Sequence, residues 1–241
     1  AVFFEAAGWE RPFWYGANEH LLAEYGEQVM PRAAEWESRW WSPIVNAEHL
    51  AMRDRVGLVD LAAFAIFDVA GAGARNYLQG LVVSQVDVPV GRVVYTPLLN
   101  EAGGIFADLT IIRLAHDRYR VVTGGGMGMR DRKWFAAHLP ENGSVQIHDL
   151  TSALYTVGVW GPRARDLVQA VTGADLSNAA FPFGTARTVD LGSIRTLMSR
   201  ISYVGELGWE IYAPMEEGLR LWDTLWEAGQ AFGVVPVGIG V

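Results

Sequence analysis

The chain has 241 residues, 51% of them apolar, enough for a substantial core in one large domain or two ordinary ones. A net charge of −8 argues against a nucleic-acid footprint, and the absence of cysteine excludes a disulfide framework, a thiolate nucleophile and a cysteine metal site. The five histidines (His20, His49, His116, His138, His148) include no i, i+4 pair that would suggest a zinc helix, and no run reads as a membrane span or secretory leader. The expectation is a soluble, intracellular protein.

Residues 1–46 read as an irregular, aromatic-rich arm. Trp9, Phe13, Trp14 and Tyr15 surround Arg11-Pro12, and Trp36, Trp40 and Trp41 follow a charged helical stretch. Aromatic groups docking on a domain is one reading; a ligand cage is the other. Both ends look cut, because Ala1 opens directly into the aromatic segment and Phe232 to Val241 stops inside an apolar run. From Ala47 to Val56 charge interleaves with Leu50, Met52 and Val56, as in a short amphipathic helix that Gly57 would end.

From there the chain repeats itself. Phe67-Asp68-Val69-Ala70-Gly71 leads into Ala74-Arg75-Asn76-Tyr77-Leu78-Gln79, and at a constant offset Val157-Gly158-Val159-Trp160-Gly161 leads into Ala164-Arg165-Asp166-Leu167-Val168-Gln169. Strands near 92–99, 108–115 and 119–123 and a helix near 129–138 follow the first. Strands near 186–191, 194–204 and 208–213 and a helix near 216–231 follow the second. Two such units, each an antiparallel sheet backed by helices, make an α+β protein with room for a small ligand between its halves. Gly71-Ala72-Gly73 lacks the third glycine of a dinucleotide fingerprint, and its counterpart carries Pro162, which has no N–H for a phosphate. Both read as strand-to-helix turns. Thr123 to Gly128 lacks the Lys-Ser/Thr of a phosphate loop, although Thr123 could present a hydroxyl to a pocket.

Two stretches carry candidate chemistry. YTPLLNEAGGIFADLTIIRL (95–114) reads as a hairpin reversing over Asn100 to Gly104. Asp108 in its second arm is either a solvated strand-end residue or a carboxylate at the mouth of a pocket. SYVGELGWEIY (202–212) brackets a turn with Gly205 and Gly208 and places Glu210 between Trp209 and Ile211. If those neighbours enter a core, alternation turns Glu210 the other way, to solvent or to a site.

These two stretches, with GWERPFWY (8–15), AEHLAMRDRVGLVD (47–60) and ADLSNAAFPFGT (174–185), resemble the aminomethyltransferase, or glycine cleavage T-protein, folate-binding family. The similarity is closest to the C-terminal folate-binding half of dimethylglycine and sarcosine dehydrogenases. It implies a cloverleaf of two related α+β lobes and a small β-barrel, with the barrel beyond Val241 and a flavin domain before Ala1. The implied division is an arm or linker at 1–46, a first lobe at 47–150 and a second at 151–241.

The implied activity is tetrahydrofolate-dependent capture of a CH2=N+ iminium from N-methyl amine oxidation, giving 5,10-methylenetetrahydrofolate. By match to the family, Asp108 would be the catalytic residue, as base and as electrostatic anchor for the cation, and Glu210 would accept paired donors from the pterin. Tyr95, Tyr203, Leu109, Tyr212 and Thr123 would complete the pocket; relatives often have asparagine at the Thr123 position. FAD would belong only to the preceding domain, and the partners are folate, the iminium and that flavoprotein domain, with no nucleic acid, membrane or metal. Alanine, glycine and arginine usage suggests a bacterial cytoplasm, or the mitochondrial matrix if the source is eukaryotic. Rival readings are a non-enzymatic folate-binding module of the same fold and a folate-dependent O- or S-demethylase.

Overall fold

The computed structural model describes residues 1–240 except 7, 33, 35 and 37–40, so Trp40 and Val241 lie outside the described residues. The arm is more regular than its composition suggests. Strands β1 (Val2–Ala6) and β2 (Trp9–Trp14) form an antiparallel hairpin, followed by a 3-10 turn at Gly16–Leu21 and a one-turn helix α1 (Leu22–Tyr25). The hairpin is held by ring packing, with Phe4 and Phe13 centroids 4.9 Å apart. Asn18, Leu21 and Tyr25 are buried, so this part of the arm docks on the body of the protein.

Helix α2 (Pro43–Asp54) begins where Ser42 Oγ accepts from the Ile44 amide and proline occupies the first turn. It ends at Arg55, and Gly57, expected as its terminator, lies inside strand β3 (Val56–Asp60). A Cβ at Gly57 would stand 2.7 Å from Val237 and 2.9 Å from Met52, so glycine there lets helix and strands pack closely.

Two sheets follow. The first has the order β5 (Val93–Leu99), β6 (Ile105–Ala115), β7 (Arg118–Thr123), β4 (Ala65–Ala70), β8 (Gln146–Asp149), with α3 (Ala74–Leu81) and α4 (Gly128–Ala137) on one face. The second runs β10 (Ala186–Leu191), β11 (Ile194–Ser199), β12 (Gly208–Pro214), β9 (Leu154–Trp160), β3, β13 (Val234–Val237). On one face it carries α5 (Ala164–Gln169) and α6 (Gly218–Gly229). All pairings are antiparallel except β13 with β3. The β5-β6-β7-β4 and β10-β11-β12-β9 orders are the same, as expected for two related lobes of an α+β protein.

The repeat extends to single hydrogen bonds. The Gly71 amide donates to Asp117 O and the Gly161 amide to Leu207 O, each 2.9 Å, and both glycines have positive φ (118° and 134°). Gln79 and Gln169 both brace the loop after their helix, accepting from the Val86 and Leu176 amides respectively. One feature of the sequence division differs. Strand β3 falls in the 47–150 segment, yet it pairs with β9 and with β13, the strand that follows α6, both in the second sheet. Strand β11 also stops at Ser199, short of the expected 204, where the Ile201 amide turns back onto Ser199 O.

The sheets face each other with their helix-free sides. Alternation puts Phe67, Val69, Leu109, Ile111 and Val121 into the first lobe's helix-side core, and Val157, Val159, Trp209 and Ile211 into the second's. Ile66, Val93, Ile112, Val122, Ala186 and Tyr212 meet between the sheets. The lobes are stitched at their edges, where the Ala186 amide donates to Gly91 O and the Val93 amide to Gly184 O.

Candidate functional site

Asp108 is fixed by its hairpin. Asn100 Oδ1 accepts from the amides of Ala102 and Gly104, and Gly103 takes φ 80°, which closes the reversal between β5 and β6. That register pairs Tyr95 with Thr110 and Pro97 with Asp108. Tyr95 and Asp108 are therefore diagonal neighbours on one face, and the Tyr95 hydroxyl donates to Asp108 Oδ2 at 2.6 Å. Both are exposed, Tyr95 at 68%. The carboxylate raises the Tyr95 pKa above its ordinary value, and the nearby Tyr203 phenol, itself 73% exposed, adds to this.

Glu210 lies on the opposing sheet and is 6% exposed. Trp209 and Ile211 enter the helix-side core, so Glu210 and Tyr212 turn toward the first lobe. The Tyr212 hydroxyl donates to Glu210 Oε2 at 2.5 Å. Burial pushes the Glu210 carboxyl up to about 7 against the pull of that hydrogen bond, and it drives the Tyr212 phenol well above 10. In register with this pair stand Ser199, opposite Glu210, and Thr156, opposite Tyr212. Their hydroxyls are buried without a partner, as is that of Ser202.

Thus Asp108 and Tyr95 are brought together, Glu210 and Tyr212 are brought together, and Tyr203 reaches the first pair electrostatically. Leu109 and Thr123 are placed differently. They are Cα partners on the helix side of the first sheet, Leu109 within the core and Thr123 donating to Asp131 Oδ2 of α4 at 2.6 Å. Alternation sets this: a strand that turns Asp108 toward the other lobe turns Leu109 away from it.

A second polar group lies on the inter-sheet face, outside the two stretches that carry candidate chemistry. Asp68 is fully buried and receives Arg118 at 2.5 Å and Arg120 at 2.9 Å, and the Arg120 charge reaches the Tyr212 phenol. The available signal was two arginines at strand spacing in β7, one of them directly opposite Asp68. The two lobes also enclose a cleft of about 500 Å3, at the far end of β6 from Asp108, which is not among its lining residues.

The whole chain, residues 1–241, matches the family model described as the GCVT N-terminal domain. It is 34% identical over 234 residues to 4-methylaminobutanoate oxidase (formaldehyde-forming) of Paenarthrobacter nicotinovorans, covering 97% of this chain and 27% of that protein. It is 31% identical over 229 residues to human mitochondrial dimethylglycine dehydrogenase, covering 95% of this chain and 25% of that one. The chain thus spans about a quarter of the length of these curated relatives. Among solved structures it is similar to glycine cleavage system aminomethyltransferase T from Bartonella henselae, with TM-score 0.77 and 24% identity over 100% of this chain and 56% of that one. With its twin lobes in that arrangement and the family model matched from end to end, the chain belongs to the GCVT N-terminal domain family.

Proposed function

We propose that this chain is the folate-binding part of a one-carbon transferase, acting on the carbon released when an N-methyl amine of the dimethylglycine or sarcosine type is oxidised. The observation that carries the reading is the buried Glu210–Tyr212 pair flanked by the unpartnered hydroxyls of Ser199 and Thr156. Buried polar atoms without partners are uncommon, and a ligand with its own donors and acceptors would satisfy them. Tetrahydrofolate fits this set: its ring N–H and 2-amino group are parallel donors that one carboxylate accepts in bidentate fashion.

When bound, tetrahydrofolate would supply the nitrogen that takes the one-carbon unit. The chain's own residues would do the rest. Glu210 would hold the pterin edge, and Tyr212 would orient Glu210 through its hydrogen bond. Asp108, with Oδ2 engaged by Tyr95, has Oδ1 to accept a proton from the attacking nitrogen and to stabilise a neighbouring cation. Tyr203 and Tyr95 offer flat apolar faces at the rim. The amine oxidation would belong to a separate FAD-dependent domain; the relatives named as an oxidase and a dehydrogenase support an oxidative partner reaction.

Two substitutions in the purified protein test this. Glu210→Gln should weaken tetrahydrofolate binding by roughly 10-fold or more, from hydrogen bonds to a charged acceptor of about 1.5–3 kcal/mol each. Asp108→Asn should leave affinity almost unchanged and slow transfer by roughly 10²–10⁴-fold, with sarcosine or dimethylglycine as donor. Unchanged calorimetric affinity in Glu210→Gln removes the pterin role. An undiminished transfer rate in Asp108→Asn removes Asp108 from the chemistry, and folate binding with no turnover in the parent protein leaves a non-enzymatic folate-binding module.

A further inference from the structure

The cleft between the lobes is a second place where chemistry converges, and it shares none of Asp108, Tyr95, Tyr203 or Glu210. Its first-lobe wall comes from the ends of β6 and β7, with Ile112, Leu114, Arg118 and Arg120, and its second-lobe wall from β10 and β11, with Thr188 and Leu197. Along β6, Ile112 to Leu114 lie four to six residues from Asp108, roughly 13–20 Å at strand rise.

The arginines there are undercompensated. Arg113 is engaged through four of its five N–H donors, to Asp87 and to the carbonyls of Val88, Ala115 and His116. Arg118 and Arg120, by contrast, share the single carboxylate of Asp68 through Nε and Nη2, and neither Nη1 has a protein partner among the described residues. Arg187 turns away from the cleft: it pairs with Met198 of the second lobe's core, and its guanidinium lies over the Phe181 ring on the helix side. Its Nη atoms donate to the carbonyls of Ala180 and Asp175, and its Nε is buried with no partner. Arg118 and Arg120 therefore carry more positive charge than Asp68 balances, in a molecule whose formal net charge is −8. Ile112, Leu114 and Leu197 supply apolar wall between the guanidinium groups.

We propose that this cleft is a binding site for a small organic anion, its apolar body against Ile112, Leu114 and Leu197 and its carboxylate or phosphoryl group on Arg118 and Arg120. The volume is of the size that takes a small ligand, and planar guanidinium groups with free donors suit the paired oxygens of either anion. The cleft shares no lining residue with the site assigned to folate, and it borders that site where Leu197 pairs with Tyr212.

Calorimetric titration of the purified protein with phenyl phosphate and with benzoate tests it, the stronger of the two identifying the anionic group. Two variants accompany the parent: Arg118→Gln, which removes a half-exposed donor while Arg120 stays on Asp68, and Thr188→Glu, which puts a negative charge on an exposed lining position. Saturable binding that weakens roughly 10-fold or more in both variants, with unchanged circular dichroism and weaker binding at high salt, is the expected result. No binding of either probe at millimolar concentration, or equal binding to the parent and to Thr188→Glu, overturns the proposal. Should Arg118→Gln fold poorly, Thr188→Glu alone decides, since its side chain is on the surface.

Discussion

Glu210 is a buried carboxyl with one protein hydrogen-bond partner, and this has a consequence in the absence of any ligand. Its carboxyl titrates near 7 in the folded protein against 4.5 ordinarily, because burial penalises the charge more than the Tyr212 hydrogen bond favours it. Below the lower value both folded and unfolded chains carry the proton, and Glu210 makes no pH-dependent difference. As pH rises from 4.5 to about 7 the unfolded chain releases its proton first, so stability falls through that window by about 3 kcal/mol and then levels off. Glu210→Gln lacks the titration. Denaturant unfolding at about pH 4 and about pH 8 should show the variant gaining on the parent by that amount at the higher pH. A parent–variant difference that is the same at both pH values would mean that Glu210 is not desolvated as the structure has it. The same titration bears on the proposed ligand, for only the ionised carboxylate accepts both donors, and tetrahydrofolate affinity should rise as pH passes 7.

At the scale of elements, the repeat was legible because its matching residues do jobs that few residue types can do. Gly71 and Gly161 turn a strand into a helix with φ near 120–135°, and a Cβ at Gly161 would stand 2.3 Å from Arg55 O and 2.6 Å from Met52 O. Gln79 and Gln169 satisfy loop amides and carbonyls that would otherwise lie unpaired. The Tyr95–Asp108 juxtaposition was equally within reach, since a hairpin turn fixes every pair behind it. What local pattern does not carry is which distant strand a short apolar segment joins. Strand β3 precedes the first copy in sequence and sits in the second sheet, a choice made by its fit against β9 and β13. The inward wall of unpartnered hydroxyls was also hidden, because Thr156 and Ser199 look like ordinary strand residues until their register opposite Tyr212 and Glu210 is known. Two glycines of positive φ, Gly103 and Gly161, differ in the space around them. Gly103→Ala, with nothing within 4 Å of the new Cβ, should cost roughly 1 kcal/mol for the left-handed backbone alone. Gly161→Ala adds collisions with two carbonyls and should cost at least twice as much, about 2 kcal/mol or more. Equal losses in thermal or denaturant unfolding would show that the turn relaxes and that close approach is not why glycine stands there.

At the scale of the whole molecule, the N-terminal hairpin, α2 and the chain after β13 are tied together through one buried carboxylate. Glu48, on α2 and fully buried, accepts from the Tyr15 amide at 2.7 Å, from Asn18 Nδ2 at 2.7 Å and from the Gly238 amide at 2.8 Å. Asn18 closes the loop by donating to Pro236 O. Burial raises the Glu48 pKa and these donors oppose the rise, so the carboxylate's stability rests on its partners as theirs rests on it. Glu48→Ala would leave two backbone amides and a side-chain amide facing apolar surroundings. An unmet buried donor costs about 1–3 kcal/mol, and the loss should total roughly 3–5 kcal/mol, large against the stability of an ordinary domain. Glu48→Gln keeps one acceptor oxygen and turns an N–H toward a donor, so it should fall between parent and alanine variant. Hydrogen exchange separates this tie from a general weakening: in Glu48→Ala the amides of Tyr15 and Gly238 should lose protection well before those of β9 and β12 at the centre of the second sheet. If all four positions lose protection together, the lobe unfolds as one unit and the arm is held by its apolar contacts around Leu21 and Tyr25, not by Glu48.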